Sequence, residues 1–571
     1  MTSPVLRMVS KNSGNGRGDI ATAVTVSSTA AASLVYIYYY WYTNYSKKYS
    51  SSTFFQSMNI AIRKYLKGRS GSRSSDDHGD NDYDSDDSGI SYGGDGGRSH
   101  TDFASFGLSF SATQDMNDAD LSYRDGPDGK GGGGTGAYAN TPSSSCIYLD
   151  YNGTTPVDQR VIAAMLPYLT THFGNPSSSH YFGAVPKEAI TKARQSILGL
   201  LHPNHVSKSR LSEEQDAIIF TGCGTEADNL AIHLAIQSNK HRFTKTSWKG
   251  DRNLPNIVTS NVEHPAIAQY LQSLQQQNVI TITYVPVNAE GYVTYEDIVS
   301  AINQNTVLVT LMLANNESGA LQPVKSVAEY CKMNSILFHT DAAQAVGKVS
   351  VALDETGIGD GVDMITIVGH KFGAPKGIGC LYVRPGCLKQ GERREADAKE
   401  GGYLLVGGGQ EGGQRAGTEN VPYIVALGTA ADILTAKTKY RQIAWKKNAS
   451  RMESMRKRLL QNLTSVLGES IVRPNGPEDS SKRLPNTLSV GLRDVQSGEL
   501  LKAIQMSVAC SAGSACHSSG GKLSPVLEAM EVPLNFARGT LRLSVGPDTT
   551  QDDVDLASKI IVKEVKRQLD L

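Results

Sequence analysis

The sequence predicts an α/β fold built on a mainly parallel sheet, and three observations lead to this prediction. From residue 146 onward, short apolar runs alternate with stretches of helical periodicity. The runs are apolar on both faces, as in strands that helices cover on both sides. Polar side chains follow several runs directly, where ligands bind in such sheets. The runs are DAIIF (216–220), NIVTS (256–260), TVLVTLML (306–313), ILFHTD (336–341), DMITIV (363–368) and CLYV (380–383).

The first 145 residues differ in composition from the rest of the chain. The uncharged run at 20–42 is long enough to span a bilayer as a helix, and the basic residues after it favour a cytosolic C-terminal side. Its many Ser, Thr and Ala residues keep a cleaved signal or an organelle presequence as alternatives. We expect an N-terminal segment at 1–66 and a disordered Ser/Gly/Asp-rich linker at 67–145. The protein is then intracellular with a cytosolic catalytic domain, and is either anchored to a membrane or organellar.

Charge and cysteine content exclude several classes of protein. The 571 residues include 56 basic and 56 acidic side chains, so the formal net charge is zero and no nucleic-acid partner is expected. The seven cysteines show no CxxC spacing. We therefore predict neither a disulfide framework nor a metal site, and free thiols in a reducing compartment are the simplest interpretation.

A glycine-rich turn follows the first apolar run and leads into an amphipathic helix. The turn is Gly222-Cys223-Gly224-Thr225, and the helix begins after it, so that backbone N–H groups, the helix dipole and the Thr225 hydroxyl suit a phosphate. Such a turn is often only a helix start with a capping threonine. It lacks the lysine of a nucleotide P-loop and the spacing of a dinucleotide fingerprint. The predicted apolar face consists of Ala227, Leu230, Ala231, Leu234 and Ala235.

Polar residues at four further strand ends complete the candidate site. Any one of them alone is explained by a cap or a hydrogen-bonded turn, and a lysine there usually points into water. Together they supply an imidazole, a carboxylate and an amine next to an anion site. That set suits pyridoxal phosphate, which needs a lysine for its Schiff base and a carboxylate at its ring nitrogen. The residues are His264, Asn315, Asn316, Asp341, Gln344, His370 and Lys371.

A series of motifs in this order resembles the cysteine desulfurase group of class V, fold type I, pyridoxal phosphate-dependent enzymes, and within it the selenocysteine lyases. The resemblance covers the chain from about 146 to its end. The motifs are YLDYNGTTPVD, FGNPSS, GTEADNLAIH, VEHPAI, ANNESG, HTDAAQAVGK, VGHKFGAPKGIG, GGGQEGGQRAGTEN, SAGSACHSS and GTLRLSVG.

The resemblance implies a fold and a set of cofactor contacts. It implies a large cofactor-binding domain at 146–420 with a mainly parallel seven-stranded sheet, and a smaller C-terminal α+β domain at 421–571 that carries a catalytic cysteine loop. Lys371 forms the Schiff base, His264 stacks on the ring and Asp341 pairs with the ring nitrogen.

Further contacts follow from the same resemblance. Gln344 reaches the phenolic oxygen, and Asn316 orients the substrate or the cofactor. Gly224, Thr225 and His370 hold the phosphate. Thr418 reaches the phosphate of the neighbouring subunit, which implies a homodimer.

Two residues of the C-terminal part complete the implied chemistry. Cys516, in a small polar loop, attacks the sulfur or selenium of the bound amino acid or protonates the departing group. Arg542 grips the substrate carboxylate through two parallel hydrogen bonds. Without the resemblance, Cys516 would be an incidental thiol and Arg542 the outward residue of a strand. Cys510, in a more apolar run, is expected to be structural.

Two departures from the family pattern stand near the lysine. Val368 occupies the position where cysteine desulfurases usually have a serine, which removes one phosphate contact. The chain reads Gly373-Ala374-Pro375 where the family usually has a tyrosine before glycine and proline. The missing tyrosine affects local packing and removes no catalytic group.

The expected activity is removal of selenium from selenocysteine, which leaves alanine and passes selenium to an acceptor protein. The alternative is a cysteine desulfurase that supplies persulfide for iron–sulfur clusters or tRNA thiolation. An aminotransferase of the same class needs no loop thiol. A membrane-tethered scaffold that has lost its chemistry is the alternative of another kind, since a fold alone never proves function.

Overall fold

The computed structural model of the protein describes residues 146–204, 214–243, 254–388, 404–513 and 523–571. The predicted membrane run at 20–42, the linker at 67–145 and the loop residue Cys516 lie outside the described residues. Among the described residues, no helix combines the length and the apolar character that crossing a bilayer requires.

Helices and strands alternate along the described chain. The helices are α1 (Gln159–Thr170), α2 (Tyr181–Leu201), α3 (Gly224–Asn239), α4 (Pro265–Gln276), α5 (Tyr295–Ala301), α6 (Val324–Met333), α7 (Val421–Thr435), α8 (Ala444–Leu467), α9 (Ser497–Ile504), α10 (Pro525–Ala529), α11 (Leu534–Ala537) and α12 (Gln551–Gln568). The strands are β1 (Ile147–Tyr148), β2 (Ile218–Thr221), β3 (Asn256–Ser260), β4 (Thr281–Val285), β5 (Thr306–Thr310), β6 (Leu337–Asp341), β7 (Met364–Val368), β8 (Gly379–Val383), β9 (Val472–Asn475), β10 (Thr487–Leu492), β11 (Val508–Ala509), β12 (Ser511–Ala512) and β13 (Leu541–Ser544).

The central sheet has the strand order β2-β8-β7-β6-β5-β3-β4. Adjacent strands pair in parallel except at β8, which is antiparallel to both β2 and β7. The predicted fold class is therefore confirmed, and six of the seven strands overlap the predicted apolar runs. The seventh, β4, was missed because it is an edge strand whose residues are mostly exposed or half-buried, so its sequence is not continuously apolar.

Helices cover both faces of this sheet because successive residues of each strand point to opposite sides. In β6, Leu337 packs with Leu230 of α3 and Ile267 of α4 in one core. Phe338 joins the other core, which includes residues of α2, α6 and α7. All five residues of the predicted apolar face of α3 are buried.

A second, smaller sheet has the order β12-β13-β10-β9 and is antiparallel throughout. It packs with α8, α9 and α12 around its own core. Strand β1 pairs in parallel with β11, so the first described residues join this C-terminal part. Helix α7 packs on α1 and α2 beside the central sheet. The predicted domain boundaries stay a prediction.

Candidate active site

Five strands of the central sheet end at the same edge, and a residue singled out by the sequence analysis follows or ends each of them. Because β2, β3, β5, β6 and β7 all run in the same direction, their carboxyl ends meet there. This is where ligands bind in open α/β sheets. The residues are Gly224, His264, Asn316, Asp341 and Lys371.

Lys371 lies in a short 3-10 turn directly after β7. Its amine Nζ donates to the main-chain oxygens of Asn152 at 2.7 Å and Gly153 at 2.9 Å. Burial, followed by the positive charge of Arg542, lowers the pKa of Lys371 to about 8. The amine can therefore lose its proton near physiological pH, which an exposed lysine cannot do.

Asp341 is the last residue of β6 and is 7% exposed. Its Oδ1 accepts a hydrogen bond from the backbone N–H of Ala343 at 2.8 Å. Burial raises the pKa of Asp341, while this hydrogen bond and the neighbouring His264 and Lys371 lower it. The carboxylate thus has the cationic Lys371 and the His264 ring as neighbours in the site.

A buried polar layer lies behind Asp341, and the sequence analysis missed it. His339 Nδ1 is 2.8 Å from Thr310 Oγ1, and its Nε2 is 3.0 Å from Thr366 Oγ1 and 3.8 Å from Asp228 Oδ1. Burial lowers the pKa of His339 to about 3, so this imidazole is neutral. The strand register that aligns these side chains is not visible in the sequence.

Asp228 and Asp341 form a coupled pair of carboxyl groups. Burial raises the pKa of Asp228 well above its usual range, and the charge of Asp341 raises it further. No described cation opposes this effect at Asp228, whereas Lys371 does so at Asp341. Asp341 is therefore the member of the pair that carries the negative charge.

His264 caps α4, and Pro265 occupies the first helical position. Nδ1 of His264 accepts from the backbone N–H of Ala266 at 3.2 Å, which leaves Nε2 as the protonated nitrogen of the neutral ring. Loss of hydration lowers the pKa of His264, and Asp341 opposes this shift. A flat, neutral imidazole next to a carboxylate suits a stacking role on an aromatic cofactor.

The start of α3 differs in one respect from the expected phosphate site. Cys223 is the N-cap and forms no capping hydrogen bond, so Thr225 is not the cap but the second residue of the helix, and it is exposed. A Cβ on Gly224 would lie 2.4 Å from Cγ2 of Val368. Val368, which replaces the family's serine, therefore packs directly on the Gly224 backbone.

His370 directly precedes Lys371 and contacts the loop that follows β1. Its Nδ1 is 3.1 Å from Thr154 Oγ1, and burial together with the charge of Lys371 lowers its pKa to about 4. The next turn is the one that lacks the family tyrosine. Ala374 is fully buried there, and Gly373, at φ +94°, donates its N–H to Thr155 Oγ1 at 2.8 Å.

Arg542 lies on β13 and joins the second sheet to the site. Its Nη2 donates to Asp150 Oδ1 at 2.9 Å and to Ser511 Oγ at 3.1 Å. Its Nε is buried and has no hydrogen-bond partner among the described residues. The guanidinium therefore keeps unused donor capacity for a further acceptor.

Segment 514–522, which contains Cys516, lies outside the described residues. Ser511 before it and Ser524 after it both contact this region. Ser511 reaches Arg542, and Ser524 Oγ donates to Glu317 Oε2 at 2.5 Å. Burial raises the pKa of Glu317, while Ser524 and Arg542 lower it. Ser511 and Ser524, which flank the Cys516 loop in the sequence, thus lie beside Arg542 and Glu317 respectively. Cys510 packs against the second core, and burial raises its pKa to about 12, as expected of a structural thiol.

Thr418 lies in a glycine-rich segment that two ion pairs hold against the sheet. Arg194 donates to both carboxylate oxygens of Glu411, at 2.9 and 2.7 Å. Arg415 Nε donates to Glu226 Oε1 in the first turn of α3 at 2.7 Å. Thr418 itself is exposed.

Asn152 is the residue that sequence reasoning missed most clearly. It is 1% exposed, and its Nδ2 donates to Asn316 O at 3.0 Å and to Thr487 Oγ1 at 2.8 Å. Its main-chain oxygen accepts from Lys371 and from Gln344 Nε2. The motif YLDYNGTTPVD contains Asn152, but only the folded chain shows that it links both sheets.

The residues present fit pyridoxal phosphate. The site offers an amine with a lowered pKa at Lys371, a buried carboxylate at Asp341 and a neutral imidazole at His264. A helix N-terminus at Gly224 and an arginine with an unpartnered Nε at Arg542 supply anion sites. This donor set matches an aldehyde, a basic ring nitrogen, a phosphate and a carboxylate.

Comparison with known proteins decides the family. The family model for class V aminotransferases matches residues 147–556. A cysteine desulfurase of Trichormus azollae is 37% identical over 424 residues, which are 74% of this chain and 94% of the relative. The chain belongs to the class V aminotransferase family.

Two further relatives place the chain within that family. A selenocysteine lyase of Xenopus laevis is 39% identical over 444 residues, which are 74% of this chain and 95% of the relative. A solved structure named NIFS-like protein has a TM-score of 0.60 at 29% identity and covers 74% of this chain and 99% of that one. The predicted membership of the cysteine desulfurase and selenocysteine lyase group of fold type I enzymes is therefore confirmed.

Proposed function

We propose that this protein is a pyridoxal phosphate-dependent lyase that removes selenium or sulfur from selenocysteine or cysteine and leaves L-alanine. The observation that carries the proposal is the Lys371 amine. Burial and Arg542 lower its pKa to about 8, and Asp341 and Asp150 act on it in the opposite direction. An amine poised in this way both attacks an aldehyde and accepts a proton.

The residues of the chain divide the work as follows. When bound, pyridoxal phosphate supplies an aldehyde that condenses with amines and a ring that takes up negative charge from Cα. Asp341 would hold the ring nitrogen, and Arg542 would bind the substrate carboxylate. Lys371, in its neutral form, accepts the Cα proton. His264 would cover one face of the ring and exclude water.

The remaining contacts would hold the cofactor's edges. Gly224 and Thr225 at the start of α3, together with His370, would hold the phosphate. Gln344 would donate to the phenolic oxygen, and Asn316 would orient the substrate or the ring. These roles rest on the family resemblance and on the position of the residues at one edge of the sheet.

Cys516 completes the proposed reaction. Its thiolate takes up the sulfur of cysteine as a persulfide, and the Cβ carbon gains a proton, so that cysteine becomes alanine. With selenocysteine, the same thiolate takes up the selenium as the Cβ–Se bond breaks, and the bonding electrons and a proton stay on Cβ. An acceptor protein then receives the sulfur or selenium.

We propose selenocysteine as the preferred substrate, on the basis of Val368 and the SACHSS loop motif. The cysteine desulfurase alternative uses the same residues. Alanine formation from selenocysteine and from cysteine, measured side by side at matched concentrations, distinguishes the two. No alanine from either substrate, with a colourless purified protein, would contradict the proposed chemistry.

We propose that the active form is a homodimer. Helices α1 and α2 and their connection expose large apolar side chains, which a second copy would bury: Leu166, Leu169, Phe173, Tyr181 and Phe182. The exposed Thr418 would then reach the partner subunit's cofactor. Sedimentation should give a dimer, and Thr418→Ala should weaken cofactor retention without changing the oligomeric state.

We propose further that residues 1–145 are not needed for the chemistry. All the proposed cofactor contacts come from residues after 150. A chain beginning at residue 144 should therefore form alanine at the rate of the full chain. Failure of the shortened chain to bind pyridoxal phosphate would contradict the predicted boundary.

A further inference from the structure

Lys348 is a buried lysine that none of the roles above uses. The residue is 6% exposed, and its Nζ donates twice to Gln344, to the main-chain oxygen at 3.0 Å and to Oε1 at 3.1 Å. Burial, followed by the charge of Lys371, lowers the pKa of Lys348 to about 7. Its hydrogen bonds do not need a charge, because a neutral amine still donates.

These hydrogen bonds permit one orientation of the Gln344 amide. Nε2 of Gln344 donates to the main-chain oxygen of Asn152 at 3.0 Å, while Oε1 accepts from Lys348. If the amide were reversed, its NH2 group would face the lysine amine and its oxygen would face a carbonyl. Gln344 is 6% exposed, so the reversed amide would lose its buried hydrogen bond to the Asn152 carbonyl and set two oxygens against each other, which is unfavourable.

The same carbonyl of Asn152 accepts from Lys371 at 2.7 Å. Lys348, Gln344, Asn152 and Lys371 therefore form one continuous chain of hydrogen bonds. One end of this chain is the amine that carries the proposed chemistry. The other end is a lysine with no place in the proposed cofactor contacts.

We propose that Lys348 is a positioning residue: it fixes the amide of Gln344 with its NH2 group toward the site, and through Gln344 and the Asn152 carbonyl it positions the amine of Lys371. The inference rests on the proposed function for its catalytic meaning. The hydrogen-bond chain itself consists of residues of this chain alone. In the loaded enzyme, only the NH2 side of Gln344 stabilises a negatively charged phenolic oxygen.

The proposal predicts that loss of the Lys348 donor raises the pKa of Lys371. Without the Lys348 donor, the Gln344 amide can turn and present its oxygen to the region of the Lys371 amine. An added acceptor favours the charged ammonium and raises the pKa of Lys371. We expect the same increase in the pKa of Lys371 when Gln344 is replaced. The Asn152 carbonyl then has one donor fewer, so it accepts more strongly from Lys371 and favours the charged ammonium.

The other charges that act on these two lysines remain in place in such variants. Arg542, Asp341 and Asp150 act on Lys371. Lys371 acts on Lys348, and Lys348 in turn acts on His370. Because the interaction between the two lysines is mutual, Lys348→Met alters both a charge and the hydrogen-bond chain. Gln344→Leu exchanges one neutral side chain for another, so that variant and the double variant report on the hydrogen-bond chain.

The test is the pH titration of Lys371 in the full chain after removal of the cofactor. Trace acetylation with acetic anhydride at a series of pH values, followed by peptide mass spectrometry, gives the pKa of each lysine. The exposed Lys376 serves as the internal reference. The variants are Lys348→Met, which removes the donor, Lys348→Arg, which keeps one, Gln344→Leu, and the double variant Lys348→Met/Gln344→Leu.

We expect Lys348→Met to raise the pKa of Lys371 by about half a unit to one unit. Lys348→Arg should restore most of the wild-type value. Gln344→Leu should raise it similarly, and the double variant should add nothing further, because both changes act through the same chain. An unchanged pKa in Lys348→Met, or additive shifts in the double variant, would overturn the proposal.

Two safeguards keep the test decisive. If Lys348→Met does not fold, Gln344→Leu alone must still raise the pKa of Lys371, and an unchanged value there overturns the proposal. The titration does not depend on turnover. A wild-type protein that forms no alanine would contradict the proposed function while leaving the result for Lys348 standing.

Discussion

Arg542 and Asp150 form an ion pair, with 2.9 Å between Nη2 and Oδ1, at the junction of the two sheets. Asp150 belongs to the first described residues, and a β-bridge to Ser544 holds it beside β13. The arginine proposed to bind the substrate carboxylate is thus already paired with a carboxylate of the protein. An incoming amino acid has to compete with Asp150 or share the guanidinium with it.

Replacing Asp150 with asparagine should strengthen substrate binding. The amide keeps a hydrogen-bond acceptor for Arg542 but removes the negative charge that repels a substrate carboxylate. We expect KM to fall by about threefold to tenfold, equivalent to about 1 kcal/mol. The control is Asp360→Asn, a surface carboxylate paired with Lys332, which should leave KM unchanged. A higher KM in Asp150→Asn would contradict this prediction and show that substrate binding needs the intact Arg542–Asp150 ion pair.

Lys371→Ala should abolish alanine formation, because the proposed reaction has no other amine in the same position. Borohydride reduction of the wild-type protein, followed by peptide mapping, should place the cofactor on Lys371. The matched control is Lys376→Ala, an exposed lysine five residues away, which should keep full activity. Labelling at Lys376 or Lys348 would contradict the assignment.

The rate at which the cofactor-free protein takes up pyridoxal phosphate should rise with pH and level off above about 8. Only the neutral amine attacks the aldehyde, and the pKa of Lys371 is lowered to about 8. Arg542 lowers this pKa, so Arg542→Gln should move the profile to higher pH. Asp341 raises it, so Asp341→Asn should move the profile to lower pH. Visible absorbance follows the reaction, and shifts of opposite sign would refute this electrostatic account.

Gly224→Ala should destabilise the protein and weaken cofactor binding, because the new Cβ would lie 2.4 Å from Val368 Cγ2. Overpacking of this kind costs about 1–3 kcal/mol. Adding Val368→Ser removes the obstructing methyl groups, so the double variant should recover most of the loss. Thermal unfolding and cofactor titration measure the two effects. If the double variant is no better than Gly224→Ala alone, the Gly224–Val368 contact is not the cause.

Cys516→Ala should remove nearly all activity on cysteine but leave measurable alanine formation from selenocysteine. Selenium leaves carbon more readily than sulfur, so it depends less on attack by the thiolate. The reactivity of that thiol depends in turn on its thiolate fraction. Alanine release by the variant from both substrates, with the wild-type preference as reference, is the measurement. Equal loss on both substrates, in an enzyme that prefers cysteine, would favour the desulfurase.

Much of the fold could be predicted from local pattern. Strands β5, β6 and β7 are buried along their whole length because helices cover both their faces, and polar residues mark the points where they end. The edge strand β4 could not be found in this way, because half of its surface meets solvent. The pairing of β1 with β11 joins residues about 360 positions apart, and no local periodicity reports such a contact.

The sequence by itself determined the family, the apolar strand runs and the residue types of the candidate site, because these depend on short motifs in a fixed order. Only the tertiary structure decided how those residues act on one another. It brought the carbonyl of Asn152 to Lys371, set Asp150 against Arg542 and packed Val368 on Gly224. It also placed a neutral His339 and a buried Asp228 behind Asp341. Such contacts depend on strand register and on the meeting of two sheets, and burial at those meeting points is what moves the pKa values on which the chemistry depends.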